Sequence, residues 1–212
     1  MLNLVYFADP MCSWCYGFGP QLDLVIDHET QRQPVRLDLT MGGLRAYNKK
    51  VMDDASRAAT LEHWEHVGEA TGLPFNDTAL KSDGFVYDTE PACRAVVAVR
   101  QLNTARALDF YHAVQRAFYA EGRDVTQENV LAEVALACGI EDSPFREAFN
   151  SKAIKDATRE DFGLTQSVGV AGFPTLCIDI GQRLYLITRG FAKAEQIEAG
   201  LARVAAEPPE AT

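Results

Sequence analysis

The chain has 212 residues, 47% of them hydrophobic, which suffices for one large domain, or one domain carrying an insertion, and is too apolar for disorder. Thirty acidic residues against 20 basic ones give a net charge of −10, which argues against a nucleic-acid surface and against attraction to an anionic membrane. No stretch approaches the roughly 18–20 apolar residues of a membrane span. The N-terminus also lacks the basic region of a secretory signal, so with Met1 as the native start the expected location is the cytoplasm.

Taken in order, Leu4-Val5-Tyr6-Phe7-Ala8 reads as a buried strand. Cys12-Ser13-Trp14-Cys15 follows, and then a helix over about Tyr16 to Gln31 with a Gly/Pro break or kink near its first turns. Val35 to Met41 alternates apolar and polar residues, a second strand, ending at Gly42-Gly43. Strand, helix and strand in this order form a βαβ unit with parallel strands.

From about Leu44 to Phe162 helical signals dominate. Segments are predicted over 58–71, 91–102, 105–120 and from Thr126 through Cys138. One more is predicted from Ser143, as N-cap, with Pro144 at the first helical position, to about Asp161. Phe75 to Asp88 reads as a polar, exposed loop near the site, and His112 as lying on a helix surface. Strands return at 175–180 and 184–188 around a hairpin-length turn. A final amphipathic helix spans Ala194 to Ala206, and Pro208-Pro209 begins a frayed tail.

The C-x-x-C stands where a strand feeds a helix. Unpaired N–H groups and the helix dipole favour an ionised sulfur at that position. Two intervening residues let the second sulfur reach the first. A zinc site would need two further ligands at suitable spacing. His63 and His66 are isolated and Cys93, Cys138 and Cys177 scattered, so no metal is expected and redox work is the favoured reading. The three scattered cysteines read as small buried hydrophobes.

Three motifs carry a family resemblance. Asp9-Pro10-Met11-Cys12-Ser13-Trp14-Cys15-Tyr16-Gly17 is close to D-x-x-C-x-W-C-Y-x-G. Gly169 to Thr175 matches G-V-x-G-V-P-T. Asp88-Thr89-Glu90-Pro91-Ala92-Cys93-Arg94 is similar to N-T-x-x-A-x-R. With the order of elements, these make the chain resemble the DsbA-like thioredoxin-fold family. The nearest branches are the cytosolic FrnE-type and dithiol–disulfide isomerase proteins, beside the 2-hydroxychromene-2-carboxylate isomerases and kappa-class glutathione transferases.

The resemblance implies an α/β thioredoxin-like fold: residues 1–43 and 163–212 as the thioredoxin-like domain and 44–162 as an all-helical insertion. It implies thiol–disulfide exchange, with Cys12 as nucleophile and Cys15 as resolving thiol. Pro174 would be a cis-proline facing them. Trp14, Phe173 and Pro174 would contact substrate; Phe173 replaces the usual valine and either shapes the cleft or packs, and Tyr16 either joins Trp14 in an aromatic rim or packs in the core. Asp9 is either a proton relay or a turn residue before Pro10. No cofactor is implied, and the partners would be protein or small-molecule thiols and disulfides, with glutathione a further candidate. The rival readings are a glutathione-dependent isomerase or transferase on the same fold, and a non-catalytic protein-binding adaptor.

Overall fold

In the computed structural model, which describes residues 1–206, a four-stranded sheet has the order β2-β1-β3-β4. β1 (Leu2–Ala8) lies parallel to β2 (Val35–Met41), with Leu2 opposite Val35 and Ala8 opposite Met41. β3 (Thr175–Ile180) runs antiparallel to β1, Tyr6 facing Leu176, and β4 (Arg183–Arg189) completes a hairpin. The predicted βαβ start and the final hairpin are therefore present. β1 is apolar on both faces because both are covered. Leu4 and Tyr6 enter the main core with the first helix, while Val5 and Phe7 pack on the opposite face with Cys177.

α1 (Ser13–Thr30) begins three residues before the predicted start and runs through Pro20 without interruption. Gly17, read from the sequence as part of a break, is a packing glycine. A β-carbon there would stand 2.6 Å from Thr71 Cγ2, so its bare backbone lets α2 (Asp54–Thr71) close on α1. α8 (Ala194–Ala206) packs on α1 and β4, as its amphipathic pattern suggests. The predicted Pro208-Pro209 tail lies outside the described residues.

Between β2 and β3 come α2, α3 (Glu90–Leu102), α4 (Ala107–Tyr119, preceded by a 3-10 turn), α5 (Glu128–Ala137), α6 (Asp142–Asn150) and α7 (Lys152–Ser167). The single helix expected from Ser143 is two helices. Glu141, not Ser143, caps the first. Ser151 takes an extended backbone (φ −64°, ψ 149°), ends α6, and accepts the Ile154 amide at 3.1 Å to start α7. α7 also passes the expected boundary at residue 162. The 75–88 segment is not simply an exposed loop, since Leu80, Phe85 and Tyr87 are buried, the last two against Phe118. His112 is half-buried rather than fully on the helix surface; from α4 it packs against α1, with Nδ1 3.6 Å from Asp23.

β2 is an edge strand whose outer backbone is occupied from the helical side. Asp161 accepts the Met41 amide at 2.9 Å and binds Arg100 through both oxygens at 2.9 Å. Arg100 also donates to the Leu39 carbonyl, and Thr165 to that of Met41. These bonds occupy groups that would otherwise invite another strand, and they fix the point where the chain leaves β2 for Gly42-Gly43. Among the described residues, no helix is long and apolar enough to cross a membrane.

Candidate active site

The site is built on the turn that joins β1 to α1. The Cys12 amide donates to the Asp9 carbonyl at 3.1 Å, closing a turn with Pro10 at its second position. The Asp9 carboxylate accepts the Met11 amide at 2.8 Å, so Asp9 is a turn residue. Its other oxygen accepts the Leu44 amide at 2.7 Å and lies 3.5 Å from the Cys93 sulfur, which donates to it. One fully buried carboxylate thus ties the cysteine turn to the loop after β2. Burial raises its pKa above the ordinary carboxylate range, against the opposing pull of the two amides.

Cys12 is the N-cap of α1 and Cys15 lies on its first turn. Both are free thiols, Cys12 6% exposed and Cys15 fully buried. The Cys12 thiol points at the Phe173 carbonyl, 3.6 Å away. Burial, followed by a hydrogen bond to Cys12, pushes the Cys15 thiol well above its ordinary pKa. Cys15 is thereby held as the neutral thiol.

Tyrosines from the helical segment hold the turn from behind, and the sequence motifs gave no sign of them. Tyr87 donates to the Met11 carbonyl at 2.7 Å, and its ring lies under the Arg45 guanidinium, 4.6 Å from the centroid. Tyr111 donates to the Asp9 carbonyl at 3.4 Å and receives a bond from Gln115 at 3.0 Å. Burial raises the pKa of both phenols, which keeps them neutral donors. The available signal was the presence of tyrosines at 111 and 119 on a helical segment and of Tyr87 in the polar 75–88 stretch. A periodicity argument assigns such residues to the core and cannot say which carbonyl they reach.

A cleft of about 550 Å³ opens beside Cys12, lined among others by Trp14, Arg45, His63, Trp64 and Phe173. Trp14 is half-buried between His66 (centroids 5.7 Å apart), His63 (6.1 Å) and Phe191 (5.6 Å). The two histidines that are isolated in sequence therefore flank the cysteine motif, without metal geometry. Tyr16 takes its packing alternative, stacked on Tyr119 at 5.0 Å. The Phe173–Pro174 peptide bond is cis. Phe173 both lines the cleft and packs, its ring lying over Gly42. Of the scattered cysteines, Cys93 and Cys177 are buried and Cys138 only partly so.

A strand, a C-x-x-C at a helix start and a cis-proline loop beside the first cysteine define the thioredoxin class of architecture. The chain belongs to the DSBA-like thioredoxin domain family, whose model matches residues 3–200. Among solved structures it is similar to a candidate protein disulfide isomerase from Nitrosomonas europaea (35% identity, 98% of this chain and 99% of that one, TM-score 0.89). It is also similar to the cytosolic disulfide reductase DsbM from Pseudomonas aeruginosa (27% identity, 97% and 99%, TM-score 0.79), which has been solved with GSH as well. A curated relative, the ClpXP adapter protein SpxH of Halalkalibacterium halodurans, is 24% identical over 82% of this chain; the chain spans 57% of its length.

Proposed function

We propose that the chain is a cytoplasmic thiol–disulfide oxidoreductase working in the reductase or isomerase direction. The observation that carries this is the division of the cysteine pair: Cys12 at the cap, on the wall of an open cleft, and Cys15 behind it, buried and holding the proton. Cys12 thiolate attacks one sulfur of a substrate disulfide, and the other sulfur leaves as a thiol. Cys15 then gives up its proton and attacks Cys12, releasing the second thiol and leaving a Cys12–Cys15 disulfide. Two electrons pass to the substrate, and two molecules of an external thiol such as glutathione restore the pair, leaving as their own disulfide. Asp9, buried close to Cys15, accepts the Cys15 proton in the second step. Trp14, Phe173 and Pro174 form the substrate-facing wall.

Residues 44–162 are read as the helical insertion into a thioredoxin-like unit of 1–43 and 163–212, with the second boundary moved to the end of α7. The cytosolic location and disulfide reduction named for DsbM support the compartment and the direction.

The test is mixed-disulfide trapping. Cys15→Ser should accumulate a Cys12-linked adduct with substrate thiol, and Cys12→Ser should abolish dithiol-dependent reduction of insulin. Unchanged insulin reduction by Cys12→Ser would end the proposal. An adaptor role is the second reading, favoured by the SpxH relative alone. It predicts partner binding indifferent to both substitutions.

A further inference from the structure

The chain carries 30 acidic residues, yet none of the residues lining the cleft beside Cys12 is acidic. The basic side chains that line it are Arg45 and His63, with His66 against Trp14. Arg45 makes no ion pair with any described carboxylate; its guanidinium sits over the Tyr87 ring, 4.6 Å from the centroid. Arg32, Arg36, Arg94, Arg100, Arg106 and Arg146, by contrast, all meet carboxylates. The position is also built. The Arg45 amide donates to the buried Thr89 hydroxyl at 3.1 Å, and the preceding amide, Leu44, is held by Asp9. The carboxylate that fixes the cysteine turn therefore fixes the backbone that carries the guanidinium. A cation held over an aromatic ring, its side chain exposed on the cleft wall, is a receptor for a planar anion.

Resting on the oxidoreductase reading, we infer that the cleft selects small disulfides bearing a carboxylate, which Arg45 receives while Cys12 meets the sulfur. A cleft of about 550 Å³ is sized for a small molecule rather than for a folded domain. The selectivity lies in the charge of the substrate, and Arg45 is a specificity-determining residue that takes no part in bond making. Arg45→Met retains an unbranched stem against Tyr87 and removes the charge; Arg45→Lys keeps the charge without the fork.

The experiment compares three disulfides of similar size: 3,3′-dithiodipropionate (anionic), bis(2-hydroxyethyl) disulfide (neutral) and cystamine (cationic). In the wild type, kcat/KM should fall in that order. Arg45→Met should reduce the anionic-to-neutral ratio about three- to tenfold, as loss of one charge-assisted contact at an exposed site predicts. Arg45→Lys should recover part of the ratio.

A binding arm separates this inference from the reading beneath it. Both tryptophans of the chain, Trp14 and Trp64, line the cleft, so intrinsic fluorescence reports its occupancy. In a Cys12→Ser/Cys15→Ser background, 3,3′-dithiodipropionate should bind more tightly than the neutral disulfide, and Arg45→Met should erase the difference. No turnover of any disulfide, with charge-selective binding intact, would overturn the oxidoreductase reading alone. Equal binding and equal kcat/KM of the anionic and neutral disulfides, or a ratio unmoved by Arg45→Met, would overturn the inference about Arg45.

Discussion

Gly42 and Phe173 approach so closely that no β-carbon fits between them: one built on Gly42 would stand 2.0 Å from the Phe173 Cζ. The residue after β2 and the loop before β3 thus meet as bare backbone against the tip of an aromatic ring. Gly42→Ala forces that ring aside, at a cost of about 1–3 kcal/mol for overpacking. Phe173→Ala vacates the space. In a urea-melt double-mutant cycle the two changes should couple by at least about 1 kcal/mol. Strictly additive costs would show that ring and glycine do not press on each other.

Asp9 should make the stability of the protein depend on pH in an unusual direction. Its folded-state pKa is raised above the unfolded carboxylate value, chiefly by burial. Between those two values the native state keeps a proton that the unfolded chain has lost. Stability therefore falls as pH rises from the ordinary carboxylate pKa through the raised one, and the penalty persists above it. Asp9→Asn removes this component, so its stability-versus-pH curve should be flatter over that window. Asn offers one acceptor oxygen where two amides, Met11 and Leu44, need one each, so the variant should lose about 1–3 kcal/mol at acid pH, where Asp9 is neutral. With Asp9 as proton acceptor, the Asn variant should also resolve a preformed mixed disulfide more slowly. An unaltered pH profile and resolution rate would exclude both roles.

Tyr87→Phe removes one oxygen and leaves the ring beneath Arg45. The Met11 carbonyl then loses a buried donor at 2.7 Å, which should cost about 1–3 kcal/mol. The turn before Cys12 loosens, so alkylation of Cys12 by iodoacetamide should speed up several-fold. A stability loss without faster alkylation would mean that the turn is held by Asp9 and Pro10 alone.

Asp161 supports the edge strand from a distance. Asp161→Ala leaves the Met41 amide without its acceptor and Arg100 with the Leu39 carbonyl in place of a carboxylate. With side-chain exposures of 27% for Arg100 and 12% for Asp161, the loss should be about 2–3 kcal/mol by chemical denaturation, less than for a fully buried pair. Arg100→Met together with Asp161→Ala should cost less than the sum of the single changes. A sum or more would assign the stability to the residues separately rather than to their pairing.

The sequence by itself determined what depends on neighbours in the chain. The four strands, the C-x-x-C at a helix start, the Asp-Pro turn and the closing amphipathic helix are local patterns of apolar period, breaker and cap, and each is present near its expected place. Ser151, which splits one expected helix into α6 and α7, was legible only as one more polar residue, because its capping bond depends on the chain having already turned. Tertiary structure alone decided what meets across the fold. It put Tyr87 and Tyr111 on the carbonyls of the cysteine turn, Gly42 against Phe173, His63 and His66 around Trp14, and Arg45 in a cleft free of carboxylates. The physical reason is range. Strand and helix signals repeat every two to four residues, whereas a buried hydroxyl or a guanidinium takes the partner that packing delivers, and these partners lie tens of residues away or more in the chain.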